Sequence, residues 1–156
     1  MMTRSLLADA RPRYVPTGYR YGFRVEGEAA AGFWGNADQV LLNYTFHKEP
    51  SFPLAIFAAV PAGGVDVLHG TEQRAGTAVD LGLPGVSATY HDGLWASGPG
   101  RDQHVVGQFV LHWDDREWHS ITIRSGNRVF AVRGARSNGV TLDELTSVAR
   151  SLPLER

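Results

Sequence analysis

The sequence predicts an α+β domain in which a mainly antiparallel β-sheet, arranged as a meander, carries a C-terminal amphipathic helix packed on one face. Three observations lead to this fold class. Several segments place apolar side chains at every second position, which is the pattern of half-buried strands. Turn-forming pairs such as Gly126-Asn127 separate these segments and favour antiparallel neighbours. The C-terminal segment repeats its apolar residues at helical spacing.

Composition limits the class of protein. The 156 residues fit one domain of ordinary size, with an N-terminal lead-in over 1–15 and a single β-rich domain over 16–156. The absence of cysteine excludes thiol catalysis, cysteine-ligated zinc and disulfides. A net charge of −1 gives no support for general binding to nucleic acid. Neither a membrane span nor a signal peptide is recognised, so we expect a cytoplasmic protein.

The first half of the chain predicts a series of strands. Apolar and aromatic residues alternate with others over 19–25 and again over 40–46, which predicts two half-buried strands. The continuous apolar run 54–60, bounded by prolines, fits a short strand buried on both faces. Segments 65–68 and 77–81 are further strand candidates.

Turn signals then predict hairpins. Residues 86–90 lead to Asp92-Gly93, a strong hairpin signal, and 94–97 follows as the next strand. Beyond it the sequence predicts a three-stranded antiparallel meander, with strands over 105–113, 118–124 and 128–133.

The register of this meander depends on its two turns. If the first turn has two or four residues, His112 faces His119, and the two neighbouring tryptophans, Trp113 and Trp118, also face each other. If Gly126-Asn127 closes the second hairpin, the expected pairs are Ile121 with Val132 and Ile123 with Phe130.

The two histidines are the candidates for a metal site. Directly opposed residues have Cβ atoms about 5 Å apart, which is close enough to share a metal. Asp114 and Asp115 follow His112 at once. A usual zinc site has three or four protein ligands, whereas only His112 and His119 have fixed geometry here. The alternative is that both are neutral histidines at the rim of the core, bonded to backbone or water. We expect the alternative, and therefore no metal and no cofactor.

The C-terminal helix is predicted over 142–152. Thr141 and Glu144 form a capping box, in which the Thr141 hydroxyl accepts from the Glu144 amide. Val140 and Leu145 are placed for a hydrophobic staple, and Pro153 stops the helix. One apolar stripe is expected to pack on the sheet, formed by Leu142, Leu145, Val148, Ala149 and Leu152.

Two features are candidates for partner binding. Phe33 and Trp34 lie in a loop, where they either contact a partner protein or plug the end of the core. Four arginines fall in a stretch without an acidic residue, and they either bind an acidic partner or form a solvated strand face. They are Arg124, Arg128, Arg133 and Arg136.

Taken in chain order, several segments resemble a known bacterial family. The segments are Pro16-Thr17-Gly18-Tyr19, 39–44, Val110-Leu111-His112-Trp113, 129–134, and 142–152 with Glu144-Leu145, Ala149 and Ser151-Leu152. The family is a domain of unknown function often found at the extracytoplasmic end of anti-sigma factors and related envelope regulators. The resemblance spans about 16–153. It implies an antiparallel sheet with a packed helix, a sensory or protein-binding role, an extracytoplasmic location and no catalytic residues.

These observations give two hypotheses for function. The first is a non-enzymatic sensory, binding or accessory domain whose partner is another protein. The alternative is a small-molecule or metal-binding protein, or an enzyme, with a pocket between sheet and helix. A pocket lined by His112, His119 or Trp95 favours the alternative, whereas a flat aromatic or arginine patch favours the first. No catalytic motif is found, and no catalytic residue is predicted.

Overall fold

Strands dominate the computed structural model of the chain, which describes residues 10–26, 37–46, 53–61, 76–106, 109–126 and 128–154. Within these ranges the strands are β1 Tyr19–Glu26, β2 Ala37–Phe46, β3 Leu54–Pro61, β4 Thr77–Val79, β5 Val86–His91, β6 Leu94–Ser97, β7 His104–Val106, β8 Phe109–Asp114, β9 Trp118–Ser125 and β10 Arg128–Ala135. A 3₁₀ turn, Arg136–Asn138, leads to the helix α1, Leu142–Arg150. The predicted α+β class is therefore confirmed.

The strands form two antiparallel sheets. The large sheet has the order β1-β2-β3-β10-β9-β5-β4, and the small sheet has the order β6-β8-β7. Helix α1 packs on β9 and β10 at one face of the large sheet. No helix in the described part of the chain is long and apolar enough to cross a membrane.

Most predicted strands are present at nearly the predicted positions. Strands β1, β2, β3 and β5 cover the segments in which alternating or continuous apolar residues predicted them. The side chains of Leu54, Ala55, Ile56 and Ala58 are each 0% exposed, which confirms a strand buried on both faces. The strand candidate 65–68 lies outside the described residues.

The second predicted hairpin is correct in register. Strand β9 pairs with β10 so that Ile121 lies opposite Val132 and Ile123 opposite Phe130. Gly126 takes a positive φ of 60° in the turn, a conformation that glycine adopts without steric cost. All four apolar side chains belong to the core beneath α1.

The first predicted hairpin is wrong. The sequence predicted one strand over 105–113. The structure instead has a hairpin there, in which β7 pairs with β8 and Val105 lies opposite Val110. Strand β8 pairs with β6 on its other side, whereas β9 pairs with β10 and β5. The predicted partners of His112 and Trp113 are therefore wrong, because β8 and β9 belong to different sheets. Gly107 interrupts the segment in sequence, and an interior glycine weakens a strand.

The hairpin predicted at Asp92-Gly93 is also wrong, because this turn carries the chain from the large sheet into the small one. Gly93 has a φ of 140° and lies directly beneath an indole ring: a Cβ here would lie 2.6 Å from Cε2 of Trp113. The Ser120 hydroxyl donates to the Gly93 carbonyl at 3.3 Å. A glycine at this crossing thus lets the small sheet pack closely against β9.

The helix forms as its capping signals predict. The Thr141 hydroxyl accepts from the Glu144 amide at 3.2 Å, and Leu145 and Val148 are each 0% exposed. Leu152, just beyond the helix, is buried as well. Leu142 belongs to the predicted apolar stripe, but it is 40% exposed. It is the first residue of the helix and lies on the side that faces away from the sheet. The buried stripe therefore begins one turn later, at Leu145.

The described part of the N-terminal lead-in contacts the same core. Ala10 is buried, and the guanidinium of Arg11 lies 3.9 Å from the ring centroid of Tyr21. The Arg13 amide donates to the Ser151 carbonyl at 3.1 Å, and the Tyr14 amide donates to the Ser151 hydroxyl at 3.0 Å. These bonds tie the lead-in to the end of α1; a boundary at residue 15 stays a prediction.

Candidate functional site

His119 is part of the core rather than of an open site. Its side chain lies on β9 beneath the start of the helix and is 3% exposed. Nε2 donates to the Val140 carbonyl at 2.6 Å, since a carbonyl can only accept. Nδ1 lies 2.9 Å from the Tyr90 hydroxyl, which is its hydrogen-bond partner. Both ring nitrogens are occupied by protein groups, which is the arrangement of a structural histidine.

His112 lies on β8 in the small sheet, opposite Ala96. Its Nδ1 is 3.1 Å from the Gly98 carbonyl, and a Cβ on Gly100 would lie 2.9 Å from its Cβ. The ring is half-buried against this loop. The structure does not bring the two candidate metal ligands together, and no group of three potential metal-binding side chains occurs among the described residues.

A charged cleft of about 390 Å³ opens beside His112. It lies between the loop that joins β6 to β7 and the turn that joins β8 to β9. We define the charged cleft by its lining residues, which are Arg101, His112, Trp113, Asp114, Asp115, Arg116 and Glu117. Of the residues considered from sequence for a metal site, His112, Asp114 and Asp115 line it.

Side-chain bonds to the backbone hold the turn at the floor of the charged cleft. One carboxylate oxygen of Asp114 accepts from the Arg116 and Glu117 amides, at 3.0 and 3.1 Å. The Glu117 carboxylate accepts from the Ser137 amide at 3.0 Å and from its hydroxyl at 2.6 Å. The Glu117 carbonyl accepts from the Arg136 amide at 2.6 Å. These bonds fix the shape of the turn.

An ion pair closes the rim of the charged cleft. Arg101 donates to the Asp115 carboxylate at 2.5 Å, and both side chains are in contact with solvent. The hydrogen bond from Arg101 lowers the pKa of Asp115 from its ordinary value, and the same bond raises the pKa of Arg101. The Arg101 carbonyl accepts from the Trp113 amide at 3.0 Å, which fastens the β6–β7 loop to β8.

The wall of the charged cleft rests on two tryptophans. Trp95 and Trp113 are cross-strand partners, and their rings make an edge-to-face contact with centroids 5.3 Å apart. Trp113 is 6% exposed, so most of its ring supports the small sheet instead of facing the opening. The cleft is therefore charged at its rim, and packed aromatic rings lie beneath it.

The four arginines singled out from sequence do not form one patch. Arg128 is 6% exposed and its guanidinium lies 5.5 Å from the Phe130 ring centroid, so it is not part of a solvated face. Arg136 makes an ion pair with Asp92, and Arg124 is exposed. Arg133 is half-buried on the face of the large sheet opposite the helix. The sequence pattern could not predict these four separate environments, because the neighbours of a side chain depend on the order of the strands.

Phe33 and Trp34, the residues proposed for partner contact, lie outside the described residues. Comparison of the chain with protein-family models, with curated proteins and with solved structures finds no match. The resemblance to the anti-sigma-factor domain family and the role of Phe33 and Trp34 therefore stay predictions.

Proposed function

We propose that the domain is a non-enzymatic binding module, sensory or accessory in role, and that the charged cleft contacts a partner protein. The observation that carries this proposal is the fixed backbone of the turn 114–117. The carboxylates of Asp114 and Glu117 are bonded to protein amides, so the surface is pre-organised and little conformational entropy is lost on binding. The resemblance to a domain of envelope regulators supports a protein as the partner.

The side chains of the charged cleft favour a polypeptide over a small molecule. Small-molecule pockets are lined mainly by apolar and aromatic side chains with few polar groups. Here five of the seven lining residues carry charge, and both signs are present: Arg101, Asp114, Asp115, Arg116 and Glu117. Interspersed charges of both signs give register and specificity at the polar rim of a protein interface.

A small-molecule ligand in the same cleft is the second candidate. Its volume of about 390 Å³ falls within the roughly 300–1,000 Å³ of ligand pockets, and His112 lines it. The space between sheet and helix, where such a pocket was expected, is filled by fully buried side chains, Leu145 and Val148 among them. The charged cleft, instead of that space, is therefore the candidate ligand site.

Selection of displayed peptides on the immobilised chain tests the first candidate. Peptides selected by the wild type should lose binding to Arg101→Glu, because the substitution breaks the rim ion pair and reverses a charge. Arg20→Glu is the matched control: Arg20 is exposed on β1, away from the cleft, and its reversal should leave binding unchanged. Equal binding to Arg101→Glu would place the contact elsewhere.

The second candidate is tested by titrating fragment libraries into isotope-labelled protein. Saturable shifts of the amides of 114–117 by a fragment, together with a peptide selection that yields no binder, would replace the protein partner with a small molecule.

A further inference from the structure

The N-terminal lead-in and the end of α1 border a second pocket, of about 320 Å³. This volume falls within the roughly 300–1,000 Å³ of pockets that hold small molecules. We define the arginine pocket by its lining residues, which are Arg13, Arg150, Ser151, Leu152, Pro153 and Leu154. Two of the six are cationic and none is acidic. None of them lines the charged cleft.

Hydrogen bonds of the lead-in bring the two arginines to one place, although they lie near opposite ends of the sequence. The Arg13 amide donates to the Ser151 carbonyl at 3.1 Å, and the Tyr14 amide donates to the Ser151 hydroxyl at 3.0 Å. Arg150 is the last residue of α1 and directly precedes Ser151. The backbone of each arginine is therefore held at the pocket, and both side chains line it.

The donors of the two guanidiniums are largely free. Nε of Arg150 donates to the Leu81 carbonyl at 3.1 Å, which holds this guanidinium against the loop between β4 and β5. Four of its five N–H donors remain. No described residue accepts a hydrogen bond from them or from the Arg13 guanidinium. Both arginine side chains are exposed, so a dissolved ligand can reach these donors.

Capping of the helix does not account for these donors. An arginine in the last turn often serves the unpaired carbonyls at the end of a helix. In α1 the Val148 carbonyl accepts from the Ser151 amide at 3.0 Å, and the Ala149 carbonyl accepts from the Leu152 amide at 3.2 Å. Backbone amides therefore satisfy both carbonyls, and the guanidiniums are left for another acceptor.

The charge of the arginine pocket is positive. Two guanidiniums carry two positive charges, whereas the end of a helix contributes only about half a negative charge. Neither Arg13 nor Arg150 has a carboxylate partner within the described residues, whereas Arg101 and Arg136 each have one. A ligand with two negative charges would match the pocket.

We propose that the arginine pocket binds a small dianion, the phosphate group or the paired carboxylates of a small ligand. The guanidiniums of Arg13 and Arg150 donate charge-assisted hydrogen bonds to its oxygens. Binding at this end of α1 does not depend on the partner proposed for the charged cleft, because the two sites share no residue.

An NMR titration of the intact chain tests the proposal at slightly alkaline pH, where phosphate and succinate are both dianions. Sodium phosphate and sodium succinate are added separately, against sodium chloride at the same ionic strength. We expect a saturable shift of the Arg150 Nε–H resonance and of the Ser151 and Leu152 amides with at least one dianion. Phosphate binding assigns a phosphate ligand, and succinate binding a dicarboxylate. No saturable response, or the same response to chloride, would overturn the proposal.

Substitution of Arg13 separates the arginine pocket from general surface charge. Arg13→Gln should weaken dianion binding by about tenfold or more, because charge-assisted hydrogen bonds are lost. The variant should fold, since the bond from Arg13 to Ser151 is made by the backbone amide. Arg20→Gln is the matched control, because Arg20 is exposed on β1 and does not line the pocket. Undiminished binding in Arg13→Gln would place the dianion elsewhere and overturn the proposal.

A second variant tests whether an acid of the chain itself takes the place of the ligand. Glu155 follows Leu154 in the sequence, so its carboxylate is the alternative occupant. Glu155→Gln should bind the dianion as the wild type does. Binding that appears only in Glu155→Gln would mean that the chain fills its own pocket, and it would overturn the proposal of a separate ligand.

Discussion

The imidazole of His119, on strand β9 of the large sheet, donates to the carbonyl of Val140, the residue just before the helix cap, across 2.6 Å. This one bond joins the sheet to the start of α1. The Tyr90 hydroxyl, 2.9 Å from the other ring nitrogen, extends the chain of bonds to β5. Three elements that are distant in sequence are therefore linked by one imidazole ring.

Replacing His119 tests this link. His119→Ala leaves the Val140 carbonyl without its donor and opens a cavity, so the free energy of unfolding should fall by about 2–4 kcal/mol. His112→Ala is the matched control, because that ring is half-buried and has one bond, and its cost should stay below about 1 kcal/mol. Urea denaturation of the two variants measures both values. Equal losses would mean that His119 does not hold the helix.

Metal ions should not stabilise the protein. His119 has both nitrogens bonded, and His112 lies in the other sheet, so these two imidazoles do not form a metal site. Thermal scans with zinc or nickel should give the melting temperature of the metal-free sample. A gain of about 2.7 kcal/mol at a hundredfold excess over Kd, removed by His119→Ala, would contradict this expectation.

Two leucines of α1 form a matched pair of substitution sites that tests how the helix packs on the sheet. Leu145→Ala should cost about 2–5 kcal/mol, since the side chain is 0% exposed in the core. Leu142→Ala removes the same atoms from a side chain that is 40% exposed, and it should cost less than about 0.5 kcal/mol. Chemical denaturation compares them directly. Similar costs for both leucines would show that the helix packs differently.

The ion pair at the rim of the charged cleft predicts how the Asp115 carboxyl titrates. Arg101 lowers the pKa of Asp115, so their bond stabilises the fold above the ordinary carboxyl pKa and is lost as pH falls through the lowered value. Arg101→Gln should therefore raise the pKa of Asp115 toward its ordinary value. A carbon-detected NMR titration follows the carboxyl directly, with Arg20→Gln as the control. An Asp115 titration identical in wild type and Arg101→Gln would show that the two side chains do not pair.

Local signals predicted the parts of the fold that local interactions determine. The Thr141 cap bonds an amide three residues away, and Gly126 turns the chain between adjacent strands, so both were readable from short stretches. The partners of β8 could not be predicted from a short stretch, because they depend on where β6 and β7 lie.

The same limit applies to the candidate sites. The charged cleft is formed by a turn and a loop that meet only after the small sheet forms. The environment of Arg133 includes Ala55 of β3, which is far away in sequence. His112 was named from sequence for a pairing that does not exist, and it lines the cleft for another reason.

The last prediction concerns the contact of α1 with β10 at Gly134. Alanine in place of glycine in a strand ordinarily stabilises by about 0.5–1 kcal/mol, because glycine loses more backbone entropy on folding. Here a Cβ would overlap the Val140 side chain and lie 3.2 Å from Cδ2 of Leu145. Overpacking costs about 1–3 kcal/mol, so the overlap should outweigh the entropy and Gly134→Ala should destabilise the fold.

A double-mutant cycle tests the cause of that loss. Val140→Ala removes the methyl groups that the new Cβ would strike, so Gly134→Ala should cost less in that background than in the wild type. A coupling energy of about 0.5 kcal/mol or more, favouring the double variant, is expected from urea denaturation. Strictly additive losses would mean that the new methyl group is accommodated by a shift of the strand. The helix would then not be seated on Gly134, and Val140 and Leu145 would not form its contact with the sheet.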